Sequence, residues 1–174
     1  MKRSINLWQL FGFALTSLGG TLLHYLYDLS GNFVLTAPFS GVNESTFEHM
    51  KLLFFPLLLF AVFQSFYFRD YSSFWCVKLR GIFLGLLLIP VIFYTYNGVI
   101  GKSPDFINIS IFFITAAIVY IYEAHLLKKD TISCRYKTAV ILILCITVVL
   151  FGIFTFVTPK IELFRDPVTG SYGI

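Results

Sequence analysis

Two short stretches of the chain carry side chains that could bind a cation or move a proton. His24 and Asp28 are four residues apart, and a second stretch contains Glu44, Glu48 and His49. In a helix, residues four apart lie one turn from each other on the same face. A helical conformation would therefore pair His24 with Asp28, and Glu44 with Glu48.

Imidazole nitrogens and carboxylate oxygens are ligands for hard or borderline divalent cations. The sequence therefore offers His24, Glu44, Glu48 and His49 as candidate metal ligands. The same groups can act as general acids and bases, and Glu48 and His49 are then the candidate catalytic residues. A purely structural interpretation also stands, because Ser45-x-x-Glu48 has the pattern of a capping box that starts a helix.

The elements that hold these residues must be membrane helices. Of the 174 residues, 57% are hydrophobic, only 13% are charged, and 21 are phenylalanine. A soluble domain needs about a quarter of its residues charged. The mean hydropathy of +0.82 points to a single-domain, all-α membrane protein. The net charge of +4 is then explained by basic residues near the membrane surface, and a nucleic-acid partner is not expected.

Five segments are long and apolar enough to cross a hydrocarbon core of about 30 Å. We predict spans at residues 7–29, 50–68, 79–97, 106–127 and 138–158, followed by a tail at 159–174. Since nine of the 13 basic residues fall on the side of the N-terminus, we expect a plasma-membrane protein with a cytosolic N-terminus and an external C-terminus. Cys76 and Cys134 would then be free thiols in the reducing cytosol, and their spacing indicates neither a disulfide framework nor a thiolate metal site.

The first external loop is long for a connection between neighbouring helices. Its middle, residues 33–39, is apolar, and we expect it to pack against the bundle. The C-terminal tail leaves the membrane on the same side, and Asp166 is placed to form an Asx-turn. If the tail folds over the mouth of the bundle, Arg165 could meet a carboxylate or phosphate. We therefore predict an external binding site formed by His24, Asp28, Asn43, Glu44, Glu48, His49, Arg165 and Asp166.

The remaining polar residues suggest less. We expect Glu123 and His125 to lie at the cytosolic rim, which leaves the middle of every span without a charge and argues against ion-coupled transport. Gly81-xxx-Gly85 permits close helix approach. It favours packing within the chain, with contact to a second subunit or membrane partner as the alternative.

The string Asn43–His49, the ending Leu163–Ile174 and the stretch His24–Asp28 together resemble a family of small bacterial integral membrane proteins catalogued as a domain of unknown function. The resemblance covers the whole chain. It implies a bacterial membrane location, and it implies no activity.

Three hypotheses of function remain. The first is an external polar pocket that binds a cation or small polar solute, in association with transport. The second is a membrane-interface enzyme that acts on a lipid or lipid-linked headgroup, with a divalent metal or an acid–base pair. The third is an accessory subunit of a membrane complex.

Overall fold

The chain forms a bundle of α-helices. The computed structural model describes residues 2–101 and 104–174, with the backbone alone at residues 2, 3 and 105. Its helices are α1 (Lys2–Leu29), α2 (Thr46–Tyr67), α3 (Phe74–Val99), α4 (Asp105–Lys129) and α5 (Lys137–Phe156), followed by a 3₁₀ turn at Glu162–Phe164. The described residues contain no strand beyond an isolated bridge between Arg165 and Tyr172. The all-α prediction is confirmed.

Each predicted span lies almost entirely within one helix, but α1, α2 and α3 begin four or five residues earlier than predicted. α2 starts at Thr46 and α3 at Phe74, and the polar residues near these starts, among them Lys51 and Lys78, lower the local hydropathy. Both lysines are fully buried inside the bundle. A hydropathy pattern therefore places the start of these helices too late.

Four helices are long and apolar enough to cross a membrane, namely α2, α3, α4 from Phe106 onward, and α5. α1 has 28 residues, a length of about 42 Å at 1.5 Å per residue. It is less apolar because it presents polar side chains to the bundle, and Gln9 and Thr16 are both buried.

Helices α1 to α4 pack in a closed arrangement, and α5 lies at its side. α1 contacts α2 and α4, and α3 contacts the same two helices. α5 packs on α3 and has the most apolar sequence of the four candidate membrane spans, but only 22% of the residues in its most apolar stretch are buried. An apolar helix with so little of its surface buried is suited to contact with lipid.

The core is aromatic and aliphatic, with Phe54, Leu57 and Phe60 of α2 at its centre. Gly81 and Gly85 are buried on the face of α3 that meets its neighbours in the same chain. An added Cβ at Gly81 would collide with Glu123, and one at Gly85 would crowd Leu53 and Val119. The two glycines therefore allow close packing within the chain.

Cys76 and Cys134 form a disulfide with Cα atoms 5.6 Å apart, a usual separation for such a bond. The bond ties the first turn of α3 to the connection between α4 and α5. The prediction of two free thiols is wrong, because it used spacing along the chain, whereas the fold brings together residues 58 positions apart. Cys145 is free and exposed.

The loop between α1 and α2 is partly buried. Ala37, Ser40 and Gly41 are buried, and the Gly41 amide donates a hydrogen bond to the Leu23 carbonyl at 3.3 Å. The expectation that residues 33–39 pack against the bundle therefore holds at Ala37 and not at the apolar side chains of Phe33, Val34, Leu35 and Phe39, which are exposed.

Candidate functional site

A cavity of about 540 Å³ opens at the end of the bundle where α1 and α3 finish and α2 and α4 begin. His24, Glu44 and His49 form its polar wall, while Phe112 and Phe113 belong to its apolar wall. Pro167 and Val168 of the tail also line it. Ligand sites in proteins are commonly concave, mostly apolar and about 300–1,000 Å³ in volume, so this cavity has the size of a small-molecule site.

Glu44 lies between the two histidines. Its Oε1 is 3.6 Å from His24 Nε2, and its Oε2 is 3.7 Å from His49 Nε2. The sequence analysis named these three residues as candidates, and the structure brings them together. The expected pairing of Glu44 with Glu48 on one helical face is not formed, because Glu44 precedes the first residue of α2.

The orientation of His49 is set by its own backbone. Nδ1 lies 2.9 Å from the Ser45 carbonyl oxygen. Since a carbonyl only accepts hydrogen bonds, Nδ1 carries a proton that it donates. In the neutral ring Nε2 then has a free lone pair, and that lone pair is directed to the side on which Glu44 lies.

The start of α2 places Glu44 and His49. The Ser45 hydroxyl accepts a hydrogen bond from the Glu48 amide at 3.4 Å, as an N-cap does. The reciprocal half of the predicted capping box is replaced, because the Ser45 amide donates to Asn43 Oδ1 at 2.9 Å. The capping function is therefore divided between Ser45 and Asn43, and Glu48 is left for another role.

Glu48 does not line the cavity and forms a buried ion pair. Its Oε2 is 2.6 Å from Lys51 Nζ and accepts a hydrogen bond from the Val42 amide at 3.0 Å. Lys51 also donates to the Ala37 carbonyl at 2.9 Å and to Thr155 Oγ1 at 3.0 Å. The pair connects the loop, α2 and α5. A carboxylate engaged in this way does not join His24 and Glu44, so the predicted roles of Glu48 in binding, metal ligation and catalysis have no geometric support.

The tail docks on the same end of the bundle. Phe164 is buried against Phe47 of α2, with ring centroids 4.4 Å apart. Asn43 Nδ2 donates to the Gly173 carbonyl at 3.0 Å. The expectation that the tail folds back over the bundle therefore agrees with the structure, and Asn43 serves to hold the tail.

The two charged tail residues among the predicted site residues do not reach the cavity. Asp166 is buried and forms the expected Asx-turn, in which its Oδ1 accepts from the Val168 amide at 2.7 Å. Arg165 is exposed and pairs with Glu162 at 3.2 Å. Neither residue is among those that line the cavity. Asp28 is exposed at the end of α1 and does not line the cavity either.

The geometry gives a proposed metal site little support. Among the described residues, no group of three or more His, Cys, Asp or Glu side chains is arranged to hold a metal ion. His24, Glu44 and His49 are close neighbours, but the fourth predicted ligand, Glu48, is paired with Lys51.

A second buried ion pair lies near the opposite end of the bundle. Glu123 Oε2 is 2.6 Å from Lys78 Nζ, and both side chains are fully buried. Gln9 donates to the same oxygen at 3.2 Å, and Gln64 donates to Gln9 at 3.4 Å. The prediction that Glu123 lies at an interfacial rim is wrong. It was made from distance to the end of the helix, which does not show that Glu123 and Lys78 face each other.

Several cavity residues were missed by the sequence analysis, among them Asn97 of α3, Asn108 of α4 and Phe93. Asparagine near a helix end and phenylalanine in an apolar span are ordinary features of a membrane sequence, so they gave no signal. Only the approach of α3 and α4 to α1 brings them beside His24 and Glu44.

Comparison with known proteins identifies the family without identifying an activity. No curated protein and no solved structure matches this chain. The model of a family of unknown function, DUF6512, matches residues 1–174. The chain therefore belongs to the DUF6512 family over its whole length.

Proposed function

We propose that this chain is a multi-pass integral membrane protein that binds a cation or small polar solute in the cavity at the end of its bundle. The observation that carries the proposal is the position of Glu44, a half-exposed carboxylate between two imidazoles on the cavity wall. No lysine or arginine lines the cavity in the part of the chain that the structure describes. A carboxylate on a cavity wall without lysine or arginine favours a positively charged or hydrogen-bond-donating ligand.

Binding to purified protein in detergent tests this proposal. A ligand that binds the native state raises the unfolding temperature in proportion to RT ln(1 + [L]/Kd). We would measure this shift with Zn²⁺, Mn²⁺, methylammonium, phenethylammonium and the neutral solute 2-phenylethanol. At least one of them should stabilise the wild type, and Glu44→Gln should lose most of the shift.

Glu162→Gln is the matched control, because Glu162 is exposed on the tail and does not line the cavity. It should respond as the wild type does. The proposal fails if no probe binds, or if Glu44→Gln and Glu162→Gln respond equally to every probe.

We further propose that all five helices cross the plasma membrane of a bacterium, with the N-terminus in the cytosol and the tail outside. Its support is the excess of basic residues on the N-terminal side. The Cys76–Cys134 disulfide opposes it, because disulfides persist in oxidising compartments and this one lies at the N-terminal end of the bundle.

Labelling in intact cells decides between the two orientations. A membrane-impermeant maleimide should react with Ser171→Cys in the tail and should spare Ser4→Cys at the start of α1. Both residues are exposed. The reverse pattern would place the cavity on the cytosolic side and overturn the proposed orientation.

The membrane-interface enzyme is the second candidate, supported by the proximity of Glu44 and His49. It would use these two residues as its acid and base, because Glu48 is engaged by Lys51. A lipid or lipid-linked headgroup would then occupy the cavity. Turnover of such a substrate, lost in both Glu44→Gln and His49→Ala, would favour this candidate over binding alone.

A further inference from the structure

We propose that the ligand of the cavity is an organic ammonium ion with an apolar body, whose charged nitrogen sits between Glu44, His24 and His49. This inference rests on the proposed function and narrows it to one class of ligand. It depends on three features, which are the facing acceptor atoms, the apolar walls and the volume of the cavity.

The first feature is a pair of acceptors that face each other. His49 donates its Nδ1 proton to the Ser45 carbonyl, so its neutral ring offers a lone pair at Nε2. That atom is 3.7 Å from Glu44 Oε2. This separation is longer than a hydrogen bond, which spans about 2.7–3.2 Å between heavy atoms. Two acceptors at this distance leave room for a donor that contacts both.

The second pair joins Glu44 to His24, whose Nε2 is an acceptor when the proton of the neutral ring is on Nδ1. His24 Nε2 lies 3.6 Å from Glu44 Oε1, on the other oxygen of the same carboxylate. An ammonium group carries three N–H donors, a positive charge and no acceptor. It can therefore donate to the Glu44 carboxylate and to both imidazoles at once, with its charge balanced by the carboxylate.

The rest of the cavity favours an apolar body attached to that nitrogen. Phe93, Phe112 and Phe113 line the cavity together with Leu52 and Ile109. Aromatic faces attract cations as well as apolar groups. A volume of about 540 Å³ greatly exceeds the needs of a bare ion, and burial of the ligand's apolar surface adds to binding.

An inorganic cation fits less well. The described residues contain no group of three or more side chains arranged as metal ligands. A metal ion would also leave the aromatic walls without a partner. A protonated imidazole could close one of the acceptor pairs, but it would leave the cavity itself unfilled.

Isothermal titration calorimetry in detergent, with phenethylammonium as the probe, tests the inference. The neutral isostere 2-phenylethanol has the same ring and lacks the charge, and methylammonium has the charge and lacks the ring. We expect phenethylammonium to bind at least tenfold more tightly than either. Glu44→Gln should weaken it at least tenfold, and Glu162→Gln should leave its affinity unchanged.

A second variant tests the apolar body without altering Glu44. Thr21 lines the cavity, and its hydroxyl donates to the Ser17 carbonyl of its own helix at 2.9 Å. Thr21→Phe should fill part of the cavity. Binding of phenethylammonium should fall at least tenfold, while that of methylammonium should change less than threefold.

The outcomes separate this inference from the proposed function. If 2-phenylethanol binds as tightly as phenethylammonium, or if Zn²⁺ binds in a Glu44-dependent way and phenethylammonium does not, the ammonium inference is overturned and a polar-ligand or metal-ion site stands. If no probe shows Glu44-dependent binding, both proposals fail.

Discussion

Replacement of Lys51 by methionine tests how the loop that carries Glu44 is held in place. Lys51 Nζ lies 2.6 Å from Glu48 Oε2, and it donates to the Ala37 carbonyl at 2.9 Å and to Thr155 Oγ1 at 3.0 Å. Methionine has a similar length and volume but no donor and no charge. The substitution therefore leaves the Glu48 carboxylate buried without its counter-ion.

The expected loss of stability is large. Removal of one partner of a buried ion pair costs about 3–5 kcal/mol, because the remaining charge is uncompensated. In a chain of this size a change of 1 kcal/mol shifts the unfolding temperature by about 2–4 °C. Lys51→Met should therefore lower the unfolding temperature by about 6–20 °C.

The assay is thermal unfolding in detergent at a fixed scan rate, followed by circular dichroism. Lys160→Met is the matched control, since Lys160 is exposed at the same end of the molecule, and surface substitutions usually change stability by less than about 0.5 kcal/mol. The double variant Glu48→Leu/Lys51→Met should be more stable than Lys51→Met, because it contains no buried charge. Equal effects of Lys51→Met and Lys160→Met would refute the reasoning, because they would mean that water reaches the ion pair.

Three further predictions concern other parts of the chain. Lys78→Met and Glu123→Leu should each destabilise the protein by about 3–5 kcal/mol. In a thermal double-mutant cycle the double variant should recover most of that loss. Additive effects of the two substitutions would contradict the buried ion pair. Phe164→Ala should release the tail, since it removes the ring packed on α2, and limited proteolysis should then cut the tail faster than in the wild type. Denatured, unreduced protein should take one maleimide mass tag, at Cys145, and reduced protein should take three. Unreduced Cys76→Ser should take two, because Cys134 is then free. Three tags on the wild type without reduction would exclude the disulfide.

The local patterns of the sequence were enough to predict the helices. Apolar segments of about 20 residues can satisfy their backbone hydrogen bonds in a membrane only as helices or in a closed barrel, and these segments show no β alternation. The N-cap at Ser45 and the Asx-turn at Asp166 were also predictable. Both depend on residues that are two or three positions apart along the chain.

The partners of the charged residues were not predictable. Glu48 and Glu44 are both acidic and close in sequence, yet one is buried against Lys51 and the other faces the cavity. The choice depends on where the N-cap falls, since Glu44 lies before it and Glu48 after it. Lys78 and Glu123 are 45 positions apart, and no local pattern relates them.

The sequence by itself thus determined an all-helical membrane-type chain with its polar candidates near one end, because hydropathy and helix periodicity are properties of neighbouring residues. Tertiary structure alone decided which candidates meet. It placed Glu44 between His24 and His49, lined the cavity with Asn97, Asn108 and the tail, and joined Cys76 to Cys134. These contacts depend on the packing of helices that are distant in sequence, and the energy of that packing is a property of the whole bundle.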